Sequence, residues 1–368
     1  MTEPTFSALL ARPGAVAAAG IDAGVAAHFG NPFAEQRELV AGRAVVEVPR
    51  GVLTITGEDR LTWLHNLTTQ ELRMLAPGDS AETLLLGQTG RIEHVMRVVD
   101  DGVASWLLVE PSEVVALAAW FDSMRFMMRV EVADRSSDFI VLGTFAEPPV
   151  TPAAANGVPI TWADPWHEPQ PGGYQYSRVI EHPATQWTYR EFLLERERAS
   201  SLEGVPVAGS LALEALRIAA WRPRLATEVD GKAIPHEFDW MRSSVHLSKG
   251  CYRGQETVAK VHNLGHPPRR LVMLHLDGSD SALPVPGSEV QLGGKPVGHV
   301  TSVAQHFELG PVALALVKRM TATDAILTVS AEGLAISAAQ EVIVPADAGA
   351  VAPAPRMPRL GLIPPPHR

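Results

Sequence analysis

Residues 249–256 read Lys249-Gly250-Cys251-Tyr252-Arg253-Gly254-Gln255-Glu256 and contain the only cysteine in a chain of 368 residues. A glycine stands on each side of the Cys-Tyr-Arg core, which predicts a shaped loop because glycine permits left-handed backbone and close approach. Lys249 and Arg253 would favour the thiolate of Cys251 if they lie close to it. The alternative is a buried structural cysteine, since free cysteine is among the most buried residue types. The polar neighbours favour a functional thiol.

Composition limits the class of protein. The length exceeds the ~150-residue domain prior more than twofold, so two or three domains are expected. Hydrophobic residues make up 46% and charged residues 20% of the chain, as in ordinary globular proteins. The longest apolar runs are far shorter than the ~20 residues needed to span a bilayer, and the N-terminus does not read as a secretory signal. A single cysteine permits no internal disulfide, which suits a reducing compartment. We therefore expect a cytoplasmic protein with no membrane segment.

The net charge and the single cysteine limit the nucleic-acid and metal partners that the chain can bind. The net charge of −10 argues against direct nucleic-acid binding. Basic residues nevertheless cluster between Lys249 and Arg270, where they would either meet an anion such as a polyglutamate tail or form an ordinary solvated loop. One thiol excludes a four-thiolate site within the chain. No histidine stands at a recognisable metal-binding spacing from Cys251, so no stable metal site is predicted.

The pattern along the chain predicts an α+β fold. Helical stretches near residues 59–67 and 111–128 alternate with strands at 51–57, 82–86, 91–99, 103–109 and 174–180, without the rhythm of a doubly wound sheet. From Arg269 onward, short strands with glycine turns predict a small β-barrel. The predicted organisation is a mobile or loosely packed leader (1–40), a first α+β subdomain (41–146), a second α+β subdomain (147–268), a barrel (269–345) and a Pro/Ala-rich disordered tail (346–368).

The octapeptide resembles the K-G-C-Y-x-G-Q-E motif of the YgfZ family, and all the fixed letters of that motif are present. These proteins bind folate, are related to the T-protein (aminomethyltransferase) of the glycine cleavage system, and act in iron–sulfur cluster assembly or repair. Residues 214–218 are similar to the L-R-I-E-A-G helix of the family, although Ala219 replaces its glutamate. Residues 285–302 are similar to the barrel segment G-x-x-V-G-x-V-T-S. The resemblance covers roughly residues 51–317 and implies a GcvT-like (T-protein) fold: two α+β subdomains forming a folate cleft, then a barrel.

The chain departs from the aminomethyltransferases at one position that matters. Those enzymes carry an Asp pair after an internal glycine turn, and one of the two carboxylates is catalytic. Here Gly90-Arg91-Ile92 is followed by Glu93-His94-Val95, so His94 and Val95 stand where the aspartates would be. Glu93 or His94 can in principle move a proton, but an exposed pair on one strand is the simpler interpretation. Whether the protein is an enzyme is left open.

Folate chemistry suggests which residues would form a site. The pterin presents adjacent N–H donors that a carboxylate can accept in a bidentate pair. Glu256 and Glu237 are the acids we nominate, and Glu237 lies in a P-x-E segment like that of the family. A surface salt bridge is the alternative role for each. By resemblance, Arg217 would pair with the carboxylate tail of folate. The candidate site therefore consists of Cys251 and Lys249 as catalytic residues, with Tyr252, Arg253, Gln255, Glu256, Glu237 and Arg217 as cofactor-binding residues.

The leading hypothesis is a tetrahydrofolate-binding protein that supports iron–sulfur cluster assembly or repair, and indirectly tRNA modification. Its partners would be folate (tetrahydrofolate or a derivative) and, transiently, iron–sulfur client or scaffold proteins. Cys251 would serve as nucleophile, one-carbon acceptor or transient ligand to iron or sulfur; it cannot hold a cluster alone, because clusters normally take four such ligands. The alternative hypothesis is a folate-dependent aminomethyl- or methyltransferase that uses Cys251 or His94.

Overall fold

A computed structural model describes residues 7–279 and 282–352 of the chain. The helices are α1 (Pro32–Val40), α2 (Arg60–Leu67), α3 (Val114–Ser123), α4 (Ser210–Ala219), α5 (Leu225–Glu228) and α6 (Gln255–Leu264). The strands are β1 (Val16–Ala17), β2 (Ala26–His28), β3 (Val45–Glu47), β4 (Gly51–Thr56), β5 (Ser80–Leu86), β6 (Ile92–Asp100), β7 (Ala104–Val109), β8 (Glu131–Asp134), β9 (Phe139–Thr144), β10 (Ala154–Ala155), β11 (Val158–Pro159), β12 (Thr161–Ala163), β13 (Arg190–Glu195), β14 (Val207–Ala208), β15 (Arg269–Leu276), β16 (Glu289–Leu292), β17 (Lys295–His306), β18 (Gly310–Lys318), β19 (Leu327–Ala331) and β20 (Leu334–Val342).

The first large sheet has the order β5-β6-β7-β4-β8, and every pairing in it is antiparallel. Because side chains alternate across a strand, neighbouring residues enter different cores. Leu53 and Ile55 pack with Trp63 of α2 and Phe121 of α3, whereas Val52 joins the larger central core. Burial on both faces explains the continuous apolar runs in β7 and at the end of β5.

The second sheet has the order β12-β13-β9-β3-β14, with only the β14–β3 pair parallel. Two of its strands precede residue 146 and three follow it. The two α+β regions are thus interleaved in sequence, and the boundary predicted at 146/147 does not separate the sheets. This arrangement lets residues distant in the chain meet between the two sheets.

The C-terminal strands close a barrel in the order β15-β18-β17-β16-β19-β20. This confirms the predicted α+β architecture with a small barrel. The sequence pattern missed β20, since its Ala- and Ser-rich composition is a weak strand signal. Ile336 and Ala338 of β20 nevertheless face the barrel core.

The sequence predicts a mobile or loosely packed leader over residues 1–40, whereas residues 7–40 contain a helix and buried side chains. Residues 7–40 include α1, which begins with Asn31 capping the backbone N–H of Ala34 and Pro32 at its first turn. Leu9 and Leu39 are buried. The Gln36 side-chain amide donates to the carbonyl oxygen of Gln305 and accepts from the backbone N–H of Phe307, each at 2.9 Å. These two bonds join α1 to the barrel. Residues 1–6, and 353–368 of the predicted tail, lie outside the described residues.

The strand predicted over residues 174–180 is wrong. This segment is irregular, and the backbone N–H of Tyr176 donates to the carboxylate of Asp239 at 2.7 Å instead of to a neighbouring strand. A side chain can compete in this way with a sheet ladder for backbone donors. Across residues 7–279 and 282–352, no helix is both long and apolar enough to cross a bilayer.

Candidate functional site

The octapeptide loop, residues 249–256, is positioned by close contact with the turn between β5 and β6. Gly254 has φ +84°, and a Cβ on it would lie 2.6 Å from the carbonyl oxygen of Gly87. Gly90, in the same turn, faces Thr257 so closely that a Cβ there would lie 2.8 Å from the Thr257 Cβ. Only glycine tolerates both the left-handed backbone and this approach. The last two residues of the octapeptide, predicted as loop, begin α6.

Lys249 is buried and holds the loop against the end of α2. Its Nζ donates to the carbonyl oxygens of His65, Thr68 and Gln70, the last two at 2.6 and 2.8 Å. These are unpaired acceptors at and beyond a helix C-terminus, where a cation is favourable. Burial lowers the pKa of Lys249 to about 7, although the nearby Glu71 carboxylate opposes the shift. Its three donors all point to backbone, so the structure gives Lys249 a positioning role; the predicted catalytic role stays a prediction.

Cys251 and Glu256 face solvent. Cys251 is a free, exposed thiol, so the buried structural alternative does not apply. Glu256 lies exposed in the first turn of α6, where a carboxylate is favoured by the helix dipole. Neither residue lines a cavity that the structure shows among residues 7–279 and 282–352.

Three further residues of the octapeptide, Tyr252, Arg253 and Gln255, support the loop. Tyr252 is buried, and burial raises the pKa of its phenol. Arg253 pairs with Glu93 at 2.8 Å, which links the loop to β6. The Gln255 Nε2 donates weakly to the carbonyl oxygen of Lys249 at 3.4 Å. The octapeptide therefore presents the Cys251 thiol and the Glu256 carboxylate to solvent, while Lys249, Tyr252, Arg253 and Gln255 face inward or bind neighbours.

A separate cavity lies between the two sheets and α4; its empty space is ≈ 520 Å³ when the solvent at its open mouth is included, and ≈ 40 Å³ of it can hold the centre of a water-sized sphere. We name it the arginine cavity after its five arginines, Arg50, Arg97, Arg217, Arg222 and Arg224. Trp187 and Tyr189 supply aromatic walls, and Glu191 of β13 and Asp164 supply buried carboxylates. Ten of the seventeen lining residues are charged, so this cavity is more polar than a typical small-molecule site.

Ion pairs hold Arg50, which directly precedes β4, and Arg224 in place. Arg50 contacts Glu110 at 2.8 Å and Glu191 at 2.9 Å. Arg224 contacts Glu110 and Asp22, each at 2.9 Å. Burial opposes ionisation of Glu110, but Arg50 and Arg224 outweigh it and lower the pKa of Glu110 to about 2. The carboxylate is therefore charged at neutral pH.

Arg222 is held on the opposite side of the cavity. It pairs with Glu82 and with Asp164, the latter at 2.9 Å. Asp164 also accepts the indole N–H of Trp187 at 2.8 Å. This network orients Trp187 against the cavity.

Arg217 is the one residue of the predicted site that lines the arginine cavity. Its guanidinium pairs with Glu214 and Glu228 and donates to Ser302 Oγ of β17 at 2.7 Å. These contacts tie α4 to the barrel. Because these contacts occupy the donors of the Arg217 guanidinium, the geometry does not favour the predicted pairing with a folate carboxylate, which stays a prediction.

Glu237 lies outside the cavity. It is buried in the 3-10 helix Pro235–Phe238, and Arg269 binds both of its oxygens at 2.8 Å. Burial raises the pKa of Glu237, while Arg269 opposes the shift. The carboxylate predicted to bind a pterin is thus engaged with the barrel.

His94, which the sequence resemblance places where the aminomethyltransferases carry an aspartate, also has a partner. Its Nδ1 lies 2.6 Å from the Glu113 carboxylate, and burial raises the pKa of Glu113. Glu93 is exposed and pairs with Arg253. The two residues are therefore not the matched exposed pair that the sequence suggested.

Sequence reasoning missed most of the arginine cavity. Its residues are spread from Asp22 to Arg224 and form no contiguous motif. One signal was present: Arg97 in Val95-Met96-Arg97-Val98-Val99 is a charge inside an apolar strand. A charge in such a place is rarely buried unless it is paired.

Comparison with known proteins agrees with this architecture. Residues 269–345 match the family described as the glycine cleavage T-protein C-terminal barrel domain. The aminomethyltransferase T of the glycine cleavage system from Bartonella henselae superposes with a TM-score of 0.69 at 16% identity, covering 90% of this chain and 94% of that one. The fold is therefore that of an aminomethyltransferase, as the resemblance of the octapeptide and barrel segments predicted.

Sequence relatives extend over the α+β region as well. A chloroplastic protein of Arabidopsis thaliana named "Putative transferase" is 27% identical over 78% of this chain and 69% of its own length. The aminomethyltransferase of a Synechococcus strain is 26% identical over 68% of this chain and 72% of its own length. The mitochondrial iron–sulfur cluster assembly factor IBA57 homolog of Mycosarcoma maydis is 24% identical over 62% of this chain, which spans 56% of that relative. Residues 269–345 therefore match a T-protein type of barrel domain, and the chain as a whole is similar to aminomethyltransferases in fold and, at lower identity, in sequence.

Proposed function

We propose that this protein is a YgfZ-type factor that binds tetrahydrofolate or a derivative in the arginine cavity and supports iron–sulfur cluster assembly or repair through Cys251. The observation that carries the proposal is the exposed single thiol on a loop anchored by Lys249 and Gly254. A thiol must be accessible to react with a partner, and this loop displays it without burying it. The similarity to a protein named as an iron–sulfur cluster assembly factor supports the same direction.

The residues of the arginine cavity suit a reduced pterin. Trp187 and Tyr189 offer aromatic faces for a flat ring, and Glu191 and Asp164 would bind its N–H donors on exchanging part of their present contacts with Arg50 and Arg222. When bound, tetrahydrofolate would supply one-carbon chemistry. The protein's own contribution would be to bind and orient the ring in a largely dry site.

Cys251 suits transient contact with iron or sulfur better than stable metal binding. Within residues 7–279 and 282–352, no group of three or more His, Cys, Asp or Glu side chains is placed to hold a metal ion. One thiolate also falls short of the four ligands that clusters normally take. Client or scaffold proteins would therefore bring the cluster, and the thiol would act on it briefly.

The proposal is tested by measuring binding and function in separate assays. Calorimetry should show tetrahydrofolate binding to the wild-type protein and to Cys251→Ala alike, since Cys251 does not line the cavity. In a strain that lacks the protein, Cys251→Ala should fail to restore iron–sulfur enzyme activity, whereas the surface control Arg43→Ala should restore it. Absence of tetrahydrofolate binding, or full restoration by Cys251→Ala, would contradict the proposal.

A further inference from the structure

The outer face of α3 and the loop that follows it present apolar side chains to solvent. Val115 of α3 is 80% exposed, and Ala119 lies exposed one turn further along the helix. After the helix ends, Phe126 is 84% and Met127 96% exposed. Single exposed apolar residues are ordinary, but a group of them marks an interaction site. We name this group the α3 surface and define it by six residues: Val115, Ala116, Ala119, the half-buried Trp120, Phe126 and Met127.

The backbone of the loop holds Phe126 in an unfavourable conformation. Its φ is +43°, in the left-handed region that a bulky side chain rarely adopts. Arg129 fixes the end of the loop, because its backbone N–H and its Nη2 bind the carboxylate of Asp59 at 2.8 and 2.9 Å. Backbone strain of this kind persists only where the surrounding structure enforces it, and it is concentrated at functional sites. The loop therefore presents Phe126 and Met127 outward at a cost in stability.

The α3 surface adjoins the loop that displays Cys251. The guanidinium of Arg253, two residues after Cys251, lies over the ring of Trp120, 6.0 Å from its centroid. With ten residues, α3 is about 15 Å long. A stable protein–protein interface covers about 800 Å² on each partner, which is roughly 30 Å across. A protein that reaches the Cys251 thiol would therefore also cover the α3 surface.

The charged side chains beside the α3 surface indicate what that protein presents. Glu58 and Glu131 line the same open groove as Phe126 and Met127. Among the described residues, three arginines and five carboxylates in this groove or in ion pairs beside it carry a net charge of −2: Arg125, Arg129 and Arg253, with Glu58, Asp59, Glu93, Asp122 and Glu131. An acidic rim attracts basic side chains and repels an anionic membrane, and two copies of it repel each other.

We propose that the α3 surface is the docking site of the protein whose iron–sulfur cluster Cys251 acts on, and that this partner presents an apolar patch with basic side chains around it. The exposed apolar side chains would supply most of the affinity, and the acidic rim would speed the encounter. This inference rests on the proposed function, in which client or scaffold proteins bring the cluster to the thiol.

Variants of the α3 surface, expressed in a strain that lacks the protein, test the inference. Phe126→Asn together with Met127→Ser removes both exposed side chains of the loop, and asparagine tolerates the left-handed backbone. This double variant should restore about tenfold less iron–sulfur enzyme activity than the wild type, because losing the apolar anchors of an interface weakens association by about that factor or more. Glu131→Lys should also restore less activity. The matched control is Met320→Ser with Ile326→Ser, at barrel positions that are 74% and 62% exposed, and it should restore wild-type activity.

Measurements on the purified protein separate docking from folding. The double variant should keep or raise the thermal midpoint, because it relieves the strain at Phe126, and a thiol reagent should label Cys251 at the wild-type rate. A lower midpoint together with the loss of activity would give the two side chains a structural role and overturn the inference. A dimer of the wild-type protein in sedimentation, or its binding to phosphatidylglycerol vesicles, would overturn the inference if the double variant abolished it, since the surface would then bind a second copy or a membrane.

The failure of the inference can be distinguished from the failure of the proposed function. Full restoration by the double variant, where Cys251→Ala fails to restore activity, would overturn the inference alone. Higher activity with Glu131→Lys would indicate an acidic partner and would also overturn it alone. Full restoration by Cys251→Ala would overturn the proposed function and the inference together.

Discussion

The octapeptide loop and the arginine cavity use charged residues in different ways. In the loop, Lys249 satisfies backbone carbonyls and Arg253 forms a half-exposed pair with Glu93, so the charges shape the chain. In the cavity, Arg50 and Arg222 form buried ion pairs that line a space. The loop displays one reactive group outward, while the cavity turns its polar groups inward. Under the proposed function, ligand binding and thiol chemistry would therefore lie on separate parts of one fold.

The largest expected loss of stability follows from removing a carboxylate of the arginine cavity, and the matched change in the loop should cost far less. Glu110→Gln should lower the free energy of unfolding by about 3–5 kcal/mol, because it leaves Arg50 and Arg224 buried with a weaker partner. Glu93→Gln, which removes the exposed partner of Arg253, should cost about 0.5 kcal/mol or less. Urea denaturation at pH 7 measures both. Equal losses would erase the distinction between cavity and loop.

The cost of Glu110→Gln should also depend on pH. The pKa of Glu110 is about 2 in the folded protein, against the ordinary glutamate value of 4.5. A lowered carboxyl pKa stabilises the fold fully above pH 4.5, and the contribution is lost as pH falls toward 2. The difference between wild type and variant should therefore shrink by about 2 kcal/mol between pH 5 and pH 3. A difference independent of pH in this range would show that Glu110 is not ionised by its arginines.

A second comparison lies within the octapeptide itself. Gly254→Ala should cost about 2–4 kcal/mol, since it combines φ +84° with a Cβ placed 2.6 Å from the Gly87 carbonyl oxygen. Gly250→Ala is the matched control, because nothing lies within 4 Å of its added Cβ and its φ is not positive. It should cost less than about 1 kcal/mol. If both variants lose the same stability, the contact between the loop and the turn at residues 87–90 does not hold the loop.

These residues also show what could be foreseen from the chain. The thiol and its glycines stand together in eight residues, so a shaped loop was predictable, as were the strands with strong apolar alternation and the barrel. The partners of Lys249 were not, because they are backbone carbonyls that only the tertiary fold brings near. The cavity was missed for a related reason: Arg50 and Glu191 are 141 residues apart and meet only because the two sheets interleave.

A smaller effect is expected from Lys249, which joins the loop to α2. Lys249→Met should cost about 1–3 kcal/mol by leaving carbonyl oxygens at the end of α2 without their donor. The measurement belongs at pH 6, below the lowered pKa of about 7, where the side chain carries its charge. Arg253→Met should cost about 1 kcal/mol or less, since its pair with Glu93 is partly exposed. A negligible loss for Lys249→Met would leave the residue free for the catalytic role predicted from the sequence.

The smallest expected effect on stability is at Cys251, and it completes the contrast between the two regions. The thiol is exposed, so Cys251→Ala should change the free energy of unfolding by less than about 0.5 kcal/mol. Since the chain has one cysteine, a thiol reagent reports on this residue without ambiguity. Labelling of the native protein should proceed within about an order of magnitude of the rate in urea, because reaction needs only access to the sulfur. A thiol protected until the protein unfolds would place Cys251 in the interior with the cavity, and the separation of the two functions would fall with it.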